Sequence, residues 1–246
     1  MKAYKIIFGS KPPVEGSCIA VLGGGGKTSF MFQVGNELAS QFEKVLLTSI
    51  TKAGPEKEVP ISLQDDMGDF DIELEFTKQN PVFLLREKIH KNKYRGISEM
   101  DLNEIRHSVD ITVFEADGAR NLPLKAHNNH DPIVPQFATH AVLLIGADAV
   151  DTHIRDGKVH RPELFCEKWQ LTPNDVLSSE IIANVVTHPN GYLSKIKTQI
   201  PITYFVNKAG VYPKEAEYLA KAIMQSTDSP VFYGSINENW WAKEKL

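Results

Sequence analysis

The stretch that most constrains the chain is Val21-Leu22-Gly23-Gly24-Gly25-Gly26-Lys27-Thr28-Ser29. An apolar run, Cys18-Ile19-Ala20-Val21-Leu22, leads into it, and a helical pattern with Phe30, Val34 and Leu38 leads out. Strand, glycine loop, Lys-Thr and helix is the layout of a phosphate-binding loop. Glycines let backbone N–H groups crowd around an anion because no Cβ blocks the approach. The helix that follows aims its positive end at the same point. On this reading Gly23, Gly24, Gly25, Gly26, Lys27, Thr28 and Ser29 bind phosphate. Lys27 reaches the β/γ-phosphates and the Thr28 hydroxyl ligates Mg²⁺. Lys27 is expected to face a ligand and not the core, so its charge is not needed for folding.

The standard G-x-x-x-x-G-K-[ST] pattern wants a glycine where this chain has Val21. The loop looks more like the shortened form of the MinD and signal-recognition class of NTPases. That class's signature lysine would fall at Leu22. A dinucleotide loop is the rival. It would need glycine at Thr28 or Ser29, and an acidic residue closing the second strand. That strand, Val45–Ile50, carries hydroxyls instead, which argues against NAD.

Apolar segments recur at 45–50, 81–86, 110–114, 141–146, 201–206 and 230–234, the last strand expected. Helical patterns between them open at Ser98, at Pro162, at Thr172-Pro173, at Ser179 and at Lys214. The alternation predicts an α/β fold: a P-loop NTPase-like, doubly wound, mostly parallel sheet with helices on both faces, as one domain over 1–246. Tyr4–Phe8 reads as a short leading strand and Glu87–Gly96 as a hairpin. The polar segment 51–71 is long for a connection; Thr51 and Lys52 at its start can face the nucleotide or solvent. A net charge of −4 without a basic patch argues against nucleic acid. No apolar run is long enough to span a bilayer, and a reducing, cytoplasmic setting is the expectation.

Glu115-Ala116-Asp117-Gly118-Ala119-Arg120, with Lys125 beyond, follows a strand directly. Mg²⁺ prefers hard oxygen ligands, and Asp117 is the expected one, emerging near Thr28. Glu115 would orient or activate water, though the two roles can be exchanged. Arg120 and Lys125 would stabilise charge developing in the transition state. His127, His130 and Asp131 suggest a metal or, more simply, a polar loop over the site. His160 and Arg161 precede a helix and either bind an anion or cap it. Asn207-Lys208 resembles the start of Asn-Lys-x-Asp, whose aspartate reads guanine, but Gly210 stands at that position. Asn207 and Lys208 can still buttress the loop and stack under a base. ATP and GTP both remain open, with no large preference for GTP expected.

Gly23–Thr28, Glu115–Lys125 with Asp131-Pro132, Val159–Pro162, Thr187–Gly191 and Asn207-Lys208 together resemble the YqeC-like family of selenium-dependent hydroxylase accessory proteins. The Glu-Ala-Asp-Gly-Ala-Arg block with its Leu-Pro-Leu-Lys tail is the most specific part; Asp131 stands where the family tends to carry Glu. The resemblance implies a role in maturation of a molybdenum hydroxylase carrying labile selenium, with that hydroxylase or its cofactor-assembly proteins as partners. Two rivals stand beside NTP hydrolysis. One is a small-molecule kinase or ligase using the same loop. The other is a non-catalytic binder of a phosphorylated molybdopterin-type cofactor.

Overall fold

A computed structural model describes residues 2–54, 60–64, 71–90, 93–196 and 199–244. In chain order the elements are α1 (Tyr4–Phe8), β1 (Ser17–Gly23), α2 (Lys27–Leu38), β2 (Val45–Ser49), β3 (Ile61–Leu63), α3 (Ile72–Lys78), β4 (Val82–Leu85), β5 (Glu87–His90), β6 (Lys93–Arg95), α4 (Glu99–Ile105), β7 (Ile111–Glu115), β8 (Leu124–Lys125), β9 (His140–Gly146), β10 (Val159–His160), α5 (Pro162–Trp169), α6 (Ser179–Thr187), β11 (Ile202–Asn207), α7 (Pro213–Gln225), β12 (Val231–Ser235) and β13 (Trp240–Lys243). Nine strands form one sheet in the order β13-β12-β11-β9-β1-β7-β2-β4-β3. Its pairings are parallel except β12 with β13.

β1 is buried along its whole length. Because side chains alternate across a strand, it feeds two cores. Cys18, Ala20 and Leu22 enter one, with Leu102 of α4, Phe165 of α5, Ile182 of α6 and Leu219 of α7. Ile19 and Val21 enter the other, with Ile6 of α1 and Phe30, Val34 and Leu38 of α2. The fold is therefore α/β, with a large, mostly parallel sheet and helices on both faces. Burial pushes the Cys18 thiol up to about 12, which leaves it an inert core residue. Among the described residues no helix is long and apolar enough to cross a membrane.

From β1 the chain builds β2 and β7 to one side, and later β9 and β11 to the other. The order reverses between β1 and β9, and in open α/β sheets ligands bind beyond the carboxyl ends of the strands at such a point. The glycine loop leaves β1 at that point.

Three local expectations are corrected. Tyr4–Phe8 is a helix and not a strand: Ile6, Ile7 and Phe8 are buried against α2 and the sheet, and an apolar run this short carries no decisive period. Thr172-Pro173 opens a turn and no helix. The Asp175 carboxylate takes the Thr172 amide and hydroxyl at 2.5 and 2.9 Å, and Val176 bridges to His153. After β12 the chain reverses once more and adds β13 as an antiparallel edge. Of the 51–71 segment, residues 55–59 and 65–70 lie outside the described residues. The hairpin at 87–96 is present as β5 and β6, and Ser98 and Asp101 form a reciprocal capping box at α4.

Gly35 sets how closely α2 lies on the sheet. A Cβ there would stand 2.6 Å from Leu47 Cδ2 and 2.8 Å from its Cδ1, and Leu47 is fully buried. Gly35→Ala gains about 1 kcal/mol of helix propensity and loses about 1–3 kcal/mol to overpacking. The expected outcome of a urea titration is a net loss of stability; an unchanged or raised midpoint would contradict this packing.

Candidate functional site

The loop between β1 and α2 is held in a shape that only glycine permits. Gly25 and Gly26 sit at φ of 79° and 117°, in the left-handed region. A Cβ on Gly25 would run into the backbone of Gly146, and one on Gly26 would lie 2.6 Å from the Asn207 side-chain nitrogen. The first loop amides turn inward. Gly23 N donates to both Asp117 oxygens at 3.1 and 3.0 Å, Gly24 N to Leu144 O at 2.9 Å, and Gly25 N to Leu122 O at 3.0 Å. Gly23, Gly24 and Gly25 thus shape the loop and do not offer their N–H groups to a ligand. The amides facing outward are those that open α2, whose first turn has no intrahelical acceptors.

Lys27 is not the free cation that was expected. It is only 6% exposed; its Nζ donates to Gly23 O at 2.8 Å and lies 3.3 Å from Asp117 Oδ1. Asp117 is fully buried and also meets His127 Nε2 and, at 3.4 Å, Lys125 Nζ. Burial alone would raise its pKa, but Lys27, His127 and Lys125 together hold the carboxyl well below the usual range. Asp117 therefore lies beneath the loop and does not emerge beside Thr28. The carboxylate at Thr28 is Glu115, whose Oε1 accepts the Thr28 hydroxyl. β7 ends at Glu115, and the chain then folds back under the loop, so the two acidic residues part company.

Lys125 is likewise corrected. It is completely buried and cannot touch a ligand. Its ammonium joins Asp131 and donates to Gly118 O at 2.7 Å, and its backbone N–H donates to the Tyr192 hydroxyl at 2.9 Å. Asp131 in turn receives Arg161 at 2.9 and 3.1 Å. Lys27, Lys125 and Arg161 alternate with Asp117 and Asp131 in one chain of ion pairs. His127 belongs to this chain and not to a metal site. Since Asp117 can only accept, His127 Nε2 carries the hydrogen, and Nδ1 is buried without a partner among the described residues. Burial lowers its pKa, against the pull of Asp117. His130 is exposed, and among the described residues no three His, Cys, Asp or Glu side chains converge on a metal position.

Above the network opens a cleft of 490 Å³, within the range of small-molecule sites. Its floor is Gly25–Ser29 with Glu115, and its walls carry Lys52, Lys93, Gly118, Arg120, His160 and Arg161. Among the described residues Glu115 is its one carboxylate against five Lys and Arg side chains. Lys52, Lys93 and Arg120 form no ion pair among the described residues. Burial, and then the charges of Arg161, Lys125 and Arg120, push the His160 imidazole down to about 4. Arg120, Asn121 and Arg161 all adopt positive φ, a backbone strain that tends to gather at functional sites. Asn207 and Lys208 lie outside the cleft lining. Asn207 donates to Gly25 O at 2.7 Å and accepts from Ile236 N at 3.0 Å, while Lys208 pairs with Asp148 at 2.8 Å.

Residues 19–163 match the family model described as YqeC protein. The chain is also 26% identical, over 193 residues, to a protein of Escherichia coli (strain K12) described as uncharacterized protein YqeC; the match spans 77% of this chain and 75% of that protein. The glycine loop, the Glu115–Lys125 block, His127, Asp131 and Arg161 all fall within the family match.

The network makes Lys27 and Asp117 structural before they are anything else. Lys27→Ala leaves Asp117 with three remaining donors and should cost about 1–3 kcal/mol. Asp117→Asn leaves the buried Lys27 ammonium without its counter-charge, while Lys125 keeps Asp131, and should cost about 3–5 kcal/mol. Denaturant unfolding checks both; an Asp117→Asn variant as stable as the wild type would contradict the network.

Proposed function

The chain belongs to the YqeC family, and from that premise we propose that it binds a nucleoside triphosphate with Mg²⁺ and hydrolyses it as an accessory factor in maturing a selenium-dependent molybdenum hydroxylase. The observation that carries the nucleotide reading is the juxtaposition at the mouth of the loop. The first amides of a twelve-residue helix, a lysine and a threonine paired with a carboxylate all open onto one cationic cleft. The hydroxylase role rests on the family resemblance alone.

The amides of Gly26 to Ser29 hold the β- and γ-phosphates. Lys27 moves from the Gly23 carbonyl to the phosphate oxygens, a short swing that leaves Asp117 still satisfied by Lys125, His127 and the Gly23 amide. Thr28 and Glu115 are the fitting pair for Mg²⁺, one hydroxyl and one carboxylate already in contact, which suits an ion that keeps most of its waters. The metal would supply charge neutralisation across the phosphates when bound. Arg120 lines the cleft where charge builds as water attacks the γ-phosphorus and its bond to the β-phosphate oxygen breaks.

One observation favours a second reading, transfer of the phosphoryl group to a small anionic acceptor. The cleft lining includes Lys52, Lys93 and His160 and leaves out Asn207 and Lys208, so it carries cationic groups besides those of the loop. A product other than free phosphate, formed only when an acceptor is added, would favour it over hydrolysis.

Glu115→Gln tests the proposal because it keeps the shape and removes the charge. Nucleotide at about 100 times its Kd should stabilise the wild type by about 2.7 kcal/mol. The variant should still be stabilised by nucleotide alone, lose the extra increment from Mg²⁺, and lose turnover by about 10–100-fold. Mg²⁺-dependent stabilisation equal to the wild type would remove Glu115 from the metal site. No stabilisation of the wild type by any nucleotide would end the reading.

A further inference from the structure

The corner that carries Asn207 and Lys208 lies outside the cleft, and its geometry bears on which base the site accepts. Asn207 is bonded on one side to Gly25 of the glycine loop and on the other to Ile236, in the turn between β12 and β13. The Ala209 amide donates to Gly234 O at 2.9 Å. Loop, corner and turn are thus locked together. Within this corner Gly210 has no side chain, and the space a Cβ would enter is taken by the carboxylate of Glu238 from the same turn. The Glu238 carboxylate carbon stands 2.5 Å from that Cβ position, with both oxygens beside it. A carboxylate from a different part of the chain therefore stands where a side chain at 210 would begin. Trp240 Nε1 donates to Glu238 Oε2 at 2.8 Å, which fixes the group while leaving Oε1 and the remaining lone pairs exposed.

We propose that Glu238 reads the base of the bound nucleotide and selects guanine. This inference rests on the nucleotide reading above and names the base for it. A carboxylate only accepts hydrogen bonds. Guanine presents two adjacent donors, N1–H and the 2-amino group, and satisfies both oxygens. Adenine presents a bare N1 lone pair beside its amino group, which a carboxylate repels. A site built to bond a donor rejects the base that lacks it, because the site's own polar group is then left unpaired. The missing aspartate at position 210 therefore does not remove selectivity; it moves the reading group to the β12–β13 turn, outside the family-matched residues 19–163.

Equilibrium binding of GTP, ATP and XTP at fixed Mg²⁺ to the full chain, Glu238→Gln and Glu238→Ala tests this. The wild type should prefer GTP to ATP by at least about tenfold, the scale of a charge-assisted hydrogen bond on an accessible edge. Glu238→Gln should shift the preference from GTP to XTP, because its carboxamide N–H can meet the xanthine 2-carbonyl; loss of packing alone produces no such reversal. Glu238→Ala should bind GTP and ATP alike, with ATP affinity retained as the internal measure of an intact phosphate site. A wild type that binds both nucleotides equally, or a Glu238→Ala variant that keeps the guanine preference, overturns the assignment of Glu238 and leaves nucleotide binding standing. A wild type that binds none of the three overturns both.

Discussion

The site depends on one buried carboxylate. Asp117 is taken wholly out of water, which is tolerable only because the Gly23 amide, His127, Lys27 and Lys125 surround it. That bonding ties the end of β1 to the chain just past β7, strands already paired in parallel register from Ser17 to Val21. It also positions two groups that act elsewhere. Lys27 is held beneath the outer surface of the loop, and Lys125 fixes the Gly118 carbonyl at the cleft wall. Arg161 extends the same chain of charges to the start of α5 through Asp131. A phosphate that draws Lys27 away leaves Asp117 with three donors in place, so exchange of partners does not strand a buried charge.

The two acidic residues of the Glu-Ala-Asp stretch divide the work by position and not by chemistry. Glu115 is the last residue of β7 and meets Thr28, in the first turn of α2. Asp117, two residues on, is past the strand and turns beneath the loop. Their separation follows from where β7 stops. The result is one carboxylate that meets the Thr28 hydroxyl at the cleft floor and one committed to holding the loop.

The alternation of β-rich runs and amphipathic segments made the α/β architecture legible, as did Pro162 at the start of α5 and the Ser98-Asp101 pair at α4, because each rests on local chemistry. What was not legible depended on distant contacts. Tyr4–Phe8 is a helix because α2 and the sheet cover it, and five residues carry no period of their own. Thr172-Pro173 carries a helix-opening signal, but Asp175 takes the Thr172 donors first. Lys27 reads as a ligand-facing lysine, and its burial against Asp117 depends on a residue ninety positions away. Lys125, Asp131 and Arg161 were visible only as charged residues in separate stretches, which the topology then joined. Gly210 reads as a lost base-reading residue, and the Glu238 carboxylate that stands against it comes from a turn 28 residues on, which no local pattern announces.

The central claim is that Lys27 waits on Asp117 and the Gly23 carbonyl for a phosphate that the first amides of α2 will hold. A crystal structure with Mg²⁺ and a non-hydrolysable nucleoside triphosphate measures it directly. The account predicts phosphates at the amides of Gly26 to Ser29, the metal against Thr28 and Glu115, and Lys27 Nζ moved to the phosphate oxygens. Asp117 should remain bonded to Gly23, His127 and Lys125. Nucleotide bound elsewhere in the cleft, with Lys27 still on the Gly23 carbonyl, would contradict it.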